Sequence, residues 1–98
     1  MKELQNKAFE LLNTKFGDEK QINKAIEELS ELIQSLARYL NRDVNDGSHM
    51  DFDVVEVLTE IADVQIITDF LIRIFDTDQD IIDTIKRVKL NKVIENNE

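Results

Sequence analysis

Apolar side chains recur at helical spacing along almost the whole chain, and only three short stretches break the rhythm: Phe16-Gly17, the polar run Asn41 to Phe52, and Asp76-Thr77-Asp78. Proline is absent and there are only two glycines, Gly17 and Gly47, so little in the 98 residues opposes helix. The expected fold is all-α. A first helix is expected from about Lys2 to Lys15, with Leu4, Ala8, Leu11 and Leu12 on one face, ended by Phe16-Gly17. Asp18 with Gln21 has the capping-box spacing, and the second helix then carries Ile22, Ala25, Ile26, Leu29, Leu32, Ile33, Leu36 and Leu40. Asn41 to Phe52, including Gly47-Ser48-His49-Met50, is read as a native, exposed loop. Asp53 with Glu56 caps a third helix running to about Phe75. Asp76-Thr77-Asp78 stops it and caps a fourth, about Gln79 to Ile94, and the tail from Glu95 frays. Short connections favour antiparallel neighbours, hence a four-helix antiparallel bundle forming one domain.

A chain of this size holds only a modest core, and its apolar arcs are broad for four short helices to cover, so a homodimer or a dimer of dimers is expected. There is no internal repeat, no apolar run of membrane-spanning length and no apolar leader after Met1, which points to a cytoplasmic protein with no membrane partner. The net charge of −9 opposes binding of a nucleic acid polymer through the bulk surface. A small anion is still acceptable where metal ions bridge it to the acids.

The chemistry concentrates in two carboxylate pairs at i,i+3, Glu28 with Glu31 and Glu60 with Asp63. That spacing puts both acids of a pair on one side of a helix, so two helices can aim four carboxylates at one point, a donor set suited to a hard cation such as Mg²⁺. Turning each residue by about 100° places Glu27 almost opposite the Leu29, Leu36 and Leu40 stripe, in water, and Glu28 and Glu31 on its flank. Glu60 and Asp63 fall among Val64, Ile67, Leu71 and Ile74, with Glu56 one turn earlier on the same side. Like charges so spaced repel unless a cation is bound or a proton retained. The competing reading is a solvated acidic face paired with Lys24, Lys86 or Lys89.

Glu27-Glu28-Leu29-Ser30-Glu31-Leu32 followed by Glu60-Ile61-Ala62-Asp63-Val64 resembles the E-E-x-x-E and E-x-x-D signature of the all-α, MazG-like nucleoside triphosphate pyrophosphohydrolases. Arg87 to Val93 resembles the basic last helix of small members, and the likeness extends from about Ala25 to Val93. Thr59 departs from the Glu that many relatives carry there. The resemblance implies that Glu28, Glu31, Glu60 and Asp63 are the Mg²⁺ ligands and catalytic acids. It also implies hydrolysis of a nucleoside triphosphate between its α and β phosphorus atoms, to the monophosphate and pyrophosphate. On the last helix Lys86, Lys89 and Lys92 repeat at i,i+3, with Lys89 expected between Ile82, Ile85 and Val93; Lys89 and Lys92 are the candidate substrate-binding cations, although dipole complementation explains them as well.

Other chemistry is poorly served. His49 is the only histidine and there is no cysteine, which disfavours zinc and a Glu-x-x-His di-iron site. Ser30 and Ser35 have no partner base, and no glycine-rich phosphate loop occurs. Tyr39 and Phe52 flank the longer loop and offer rings for base stacking, though such residues are more often core or interface. Two alternatives stay open: phosphoribosyl-ATP pyrophosphohydrolase, and a non-catalytic interaction module that would need its charges outside.

Overall fold

The computed structural model describes residues 1–43 and 50–98, and every element in it is a helix: α1 (Lys2–Leu40), α2 (Met50–Ile74) and α3 (Gln79–Asn97). The expected first and second helices form the single element α1, folded at Gly17, whose φ of 80° and ψ of 176° are non-helical. The fold-back follows from packing. Ala25 and Phe9 share one core with Ile67 and Phe70, whereas in an unbroken helix sixteen residues would separate them by about 24 Å. Across the bend the Gln21 amide donates to Asn13 Oδ1 at 3.0 Å. Gln21 Oε1 is buried without a hydrogen-bond partner, so it does not accept from the Asp18 N–H as a capping box requires. Phe9 meets Phe70 with ring centroids 5.5 Å apart, and the Arg73 guanidinium lies over the Phe9 ring.

Helix α2 begins at Met50, so Asp53 lies inside its first turn and does not cap it; no proline or glycine stands between Met50 and Asp53 to stop the helix earlier. Gly47, Ser48 and His49, within the expected loop, lie outside the described residues. At its other end α2 stops as foreseen. Asp76 takes a left-handed φ of 54°, its N–H donates to Arg73 O, and the Thr77 N–H donates to Ile72 O, which is the Schellman arrangement that satisfies terminal carbonyls. Asp78 Oδ1 then accepts from the Ile81 N–H at 3.0 Å and caps α3. That helix runs to Asn97, so the tail expected to fray is helical up to the last residue.

The packed unit is the pair α1 and α2. Ala25 lies beside Ile67 and Phe70, Glu28 beside Glu60 and Asp63, and Arg38 beside Glu56, so the numbers rise on one helix as they fall on the other. The pair is antiparallel. The fourth expected rod, α3, contains no buried residue and, among the described residues, does not close a bundle with α1 and α2. Among the described residues, no helix is long and apolar enough to cross a membrane.

Nothing lies within 4 Å of a β-carbon built on Gly17, so the demand for glycine is purely that of its backbone conformation. Gly17→Ala is expected to lower stability by about 1–3 kcal/mol in urea unfolding followed by circular dichroism. An unchanged midpoint would mean that the bend does not depend on this residue.

Candidate metal centre

Helix α2 packs on the flank of α1 and not on its apolar stripe. The buried residues of α1 are Gln21, Ala25, Glu28 and Ser35, while Ile26, Leu29, Ile33, Leu36 and Leu40 remain exposed. This choice of face carries Glu28 into the seam, where it is only 8% exposed, and leaves Glu27 in solvent. From α2, Glu60 and Asp63 come half-buried to the same place, on the side of the helix that carries buried Ile67 and Phe70.

One carboxylate oxygen from each of Glu28, Glu60 and Asp63 lies within 4.8 Å of the others, a spacing that allows all three to reach one ion. Glu28 Oε2 and Glu60 Oε2 are buried and have no hydrogen-bond partner. Burying an ionised oxygen without a partner is costly, and these two atoms lack compensation. Among the described residues Gln21 Oε1, Arg42 Nε and Asp69 Oδ2 are also buried without a hydrogen bond, Asp69 Oδ2 with the Arg73 guanidinium 3.1 Å away. Glu31 stands at the edge of the trio. Repulsion from Glu28, then desolvation, then repulsion from Glu60 hold its carboxyl above the usual range.

The one cation paired with the trio among the described residues is Lys24, whose Nζ is 3.1 Å from Glu28 Oε1 and 3.5 Å from Glu27 Oε2. The hydrogen bond to Glu28 and the charge of Glu27 raise the Lys24 pKa, and both partners stabilise its charged form. Three carboxylates, beside one ammonium that Glu28 shares with Glu27, leave the trio a net negative charge, opposite in sign to a metal cation. The donor set is all oxygen, as Mg²⁺ or Mn²⁺ prefers. The residues fit such an ion.

Four acids singled out by spacing therefore gather in one place, three within joint reach of an ion and Glu31 beside them. The lysines of α3 do not join them: Lys89 and Lys92 are exposed, and Lys89 is not sheltered between Ile82, Ile85 and Val93 as expected, because among the described residues no neighbour covers that face of α3. Arg38, which the sequence reading overlooked, pairs instead with Glu56 one turn along the seam. Its signal was legible in principle, since Arg38 follows Glu31 by two turns on one side of α1 as Glu56 precedes Glu60 by one turn on α2. Tyr39 is half-buried beneath the Arg42 guanidinium, 3.6 Å from its ring centroid, and Phe52 is exposed. An open cleft of about 830 Å³ where α3 leaves α2, lined by Gln65, Thr68, Phe75, Ile82 and Lys86 among others, contains none of the four acids.

No family model, curated protein or solved structure matches this chain.

Because Glu31 binds its proton more tightly in the folded chain than when unfolded, its contribution to stability is greatest at low pH. That contribution declines as pH rises from the ordinary value near 4.5 through the raised one. In chelator at pH 7, Glu31→Gln should accordingly raise the melting midpoint. Millimolar Mg²⁺ or Mn²⁺ should raise that of the parent chain by at least about 4 °C, the shift that 1 kcal/mol gives in a domain of this size, and should raise that of Asp63→Asn less. Equal responses in parent and Asp63→Asn would remove Asp63 from the ion.

Proposed function

We propose that this protein is a Mg²⁺-dependent nucleoside triphosphate pyrophosphohydrolase of the all-α, MazG-like kind, acting in the cytoplasm on the nucleotide pool. The observation that carries the reading is the pair of buried, unpartnered oxygens of Glu28 and Glu60, held with Asp63 between two antiparallel helices. Their order and spacing in the sequence match the E-E-x-x-E and E-x-x-D signature. An acidic docking face for a basic partner would hold its charges outside, where hydration keeps them inexpensive.

In this reading Glu28, Glu31, Glu60 and Asp63 hold the ion. When bound, Mg²⁺ supplies neutralisation of phosphate charge and lowers the pKa of a coordinated water. The chain's own residues do the positioning. Rigid helices fix the carboxylates before substrate arrives, so no reorganisation is needed as charge develops. Lys24 holds Glu28 by one oxygen and leaves the other free to ligate. Water oxygen bonds to the α-phosphorus and gives up one proton to the surrounding solvent, the bond from that phosphorus to the bridging oxygen breaks, and pyrophosphate leaves with the electron pair. Lys89 and Lys92, which α3 carries away from the trio, are given no part in this step.

Purified protein with Mg²⁺ should release pyrophosphate from at least one member of a panel of ribo- and deoxynucleoside triphosphates, and turnover of none would favour the interaction module. Glu60→Gln should lower kcat/KM at least about a hundredfold with the helical circular dichroism intact, since even the groups that orient metal ligands are worth 10–100-fold. Glu27→Gln should remain within about twofold of the parent. Exposed Glu27 contributes no oxygen to the trio.

A further inference from the structure

A small pocket opens one turn along the seam from the carboxylate trio, in the crook where the two arms of α1 fold back at Gly17 and α2 passes beside them. It encloses about 210 Å³ and is lined by Leu12 and Phe16 from the first arm, Lys20, Gln21 and Lys24 from the second, and Ile67 from α2. Lys24 belongs to both places, because its ammonium also holds Glu28 Oε1 at 3.1 Å. Ile67 follows Asp63 by one turn of α2, and Gln21 precedes Glu28 by two turns of α1, about 10 Å. That length is comparable to a nucleotide measured from its α-phosphate to the far edge of its base.

The lining restricts the occupant. Leu12, Phe16 and Ile67 offer apolar walls to a flat ring, and the ammonium groups of Lys20 and Lys24 suit a ring attached to phosphate while opposing a cation. Gln21 is the one uncharged polar side chain among the six and is only 5% exposed. Its Nε2 donates to Asn13 Oδ1, whereas its Oε1 has no partner. A buried amide oxygen without a donor is costly, so the hydrogen bond still to be made here is one that Gln21 accepts. An occupant that brings an N–H relieves that cost. One that brings a carbonyl oxygen adds repulsion instead.

We infer that this pocket takes the base of the nucleotide and selects a ring bearing an amino group, cytosine or adenine, over its oxo counterpart, with Gln21 Oε1 accepting from the amino group. The oxo counterparts also carry a ring N–H, but they place a carbonyl oxygen at the corner where the amino group stands. The inference rests on the nucleotide reading of the trio. It names the substrate class and the residue that sets it.

Titration calorimetry of the full chain with Mg²⁺ reads binding without turnover, which separates this inference from the reaction. Cytidine monophosphate should bind at least about tenfold more tightly than uridine monophosphate, or adenosine monophosphate than inosine monophosphate, and the pair that shows the difference tells a pyrimidine pocket from a purine one. Gln21→Met, which keeps the length and removes the acceptor, should bring the ratio within about twofold while the Mg²⁺ shift of the melting midpoint persists. Because Gln21 is buried, a second variant is placed on the partly exposed first arm. Leu12→Trp fills the pocket and should weaken binding of the preferred nucleotide at least about tenfold with the same Mg²⁺ response. Equal or undetectable binding in both pairs would overturn the inference, as would undiminished binding by Leu12→Trp. A preference for the oxo members would do so too, by showing that Gln21 presents its N–H. Pyrophosphate release without base preference would remove the pocket alone, and base preference without pyrophosphate release would remove the reaction alone.

Discussion

Packing α2 against the Glu28 flank of α1, and not against the stripe of Leu29, Leu36 and Leu40, is the contact on which the other features depend. It rotates the second half of α1 by roughly a quarter turn from the orientation that would bury most hydrocarbon. Two consequences follow from that one choice. Carboxylates enter a seam where aliphatic groups would otherwise meet, and a row of aliphatic groups is left facing outward. Each consequence carries a cost: carboxylates lose hydration in the seam, and the aliphatic row stays exposed to water.

The seam itself is graded along its length. Near the Gly17 bend it is aromatic and aliphatic, with Phe9 on Phe70 and Ala25 against Ile67. One turn on it becomes acidic at Glu28, Glu60 and Asp63, and farther on Arg38 and Glu56 close it as a matched pair. The apolar end supplies rigidity and excludes water, which strengthens electrostatic interactions in the adjoining turn. Lys24 compensates one oxygen of Glu28 and leaves the other without a partner.

Much of this was legible in the residues because helical rhythm, glycine and aspartate report local physics directly. Gly17, Asp76 and Asp78 marked real breaks, and the wheel separated buried Glu28 from exposed Glu27. The same wheel misjudged which side of α1 would be covered. It ranks a face by its own hydrophobicity, whereas the covered face is settled by which neighbour reaches it first, a tertiary matter. Asp53 misled for a related reason: a capping pattern is local, and a helix free of breakers upstream extends past it. The surroundings of Lys89 were misread because the expected bundle gave α3 a neighbour on that face, and none covers it among the described residues.

The sheltered oxygens and the rim pairs will also part company in solution. Raising monovalent salt shortens the Debye length from about 10 Å at 0.1 M to about 3 Å at 1 M, which loosens exposed pairs such as Lys24 with Glu27 and Arg38 with Glu56. The orphaned atoms of Glu28 and Glu60 are shielded from that atmosphere by the protein around them. Ionic strength would thus loosen the periphery while leaving the interactions among the buried carboxylates unscreened.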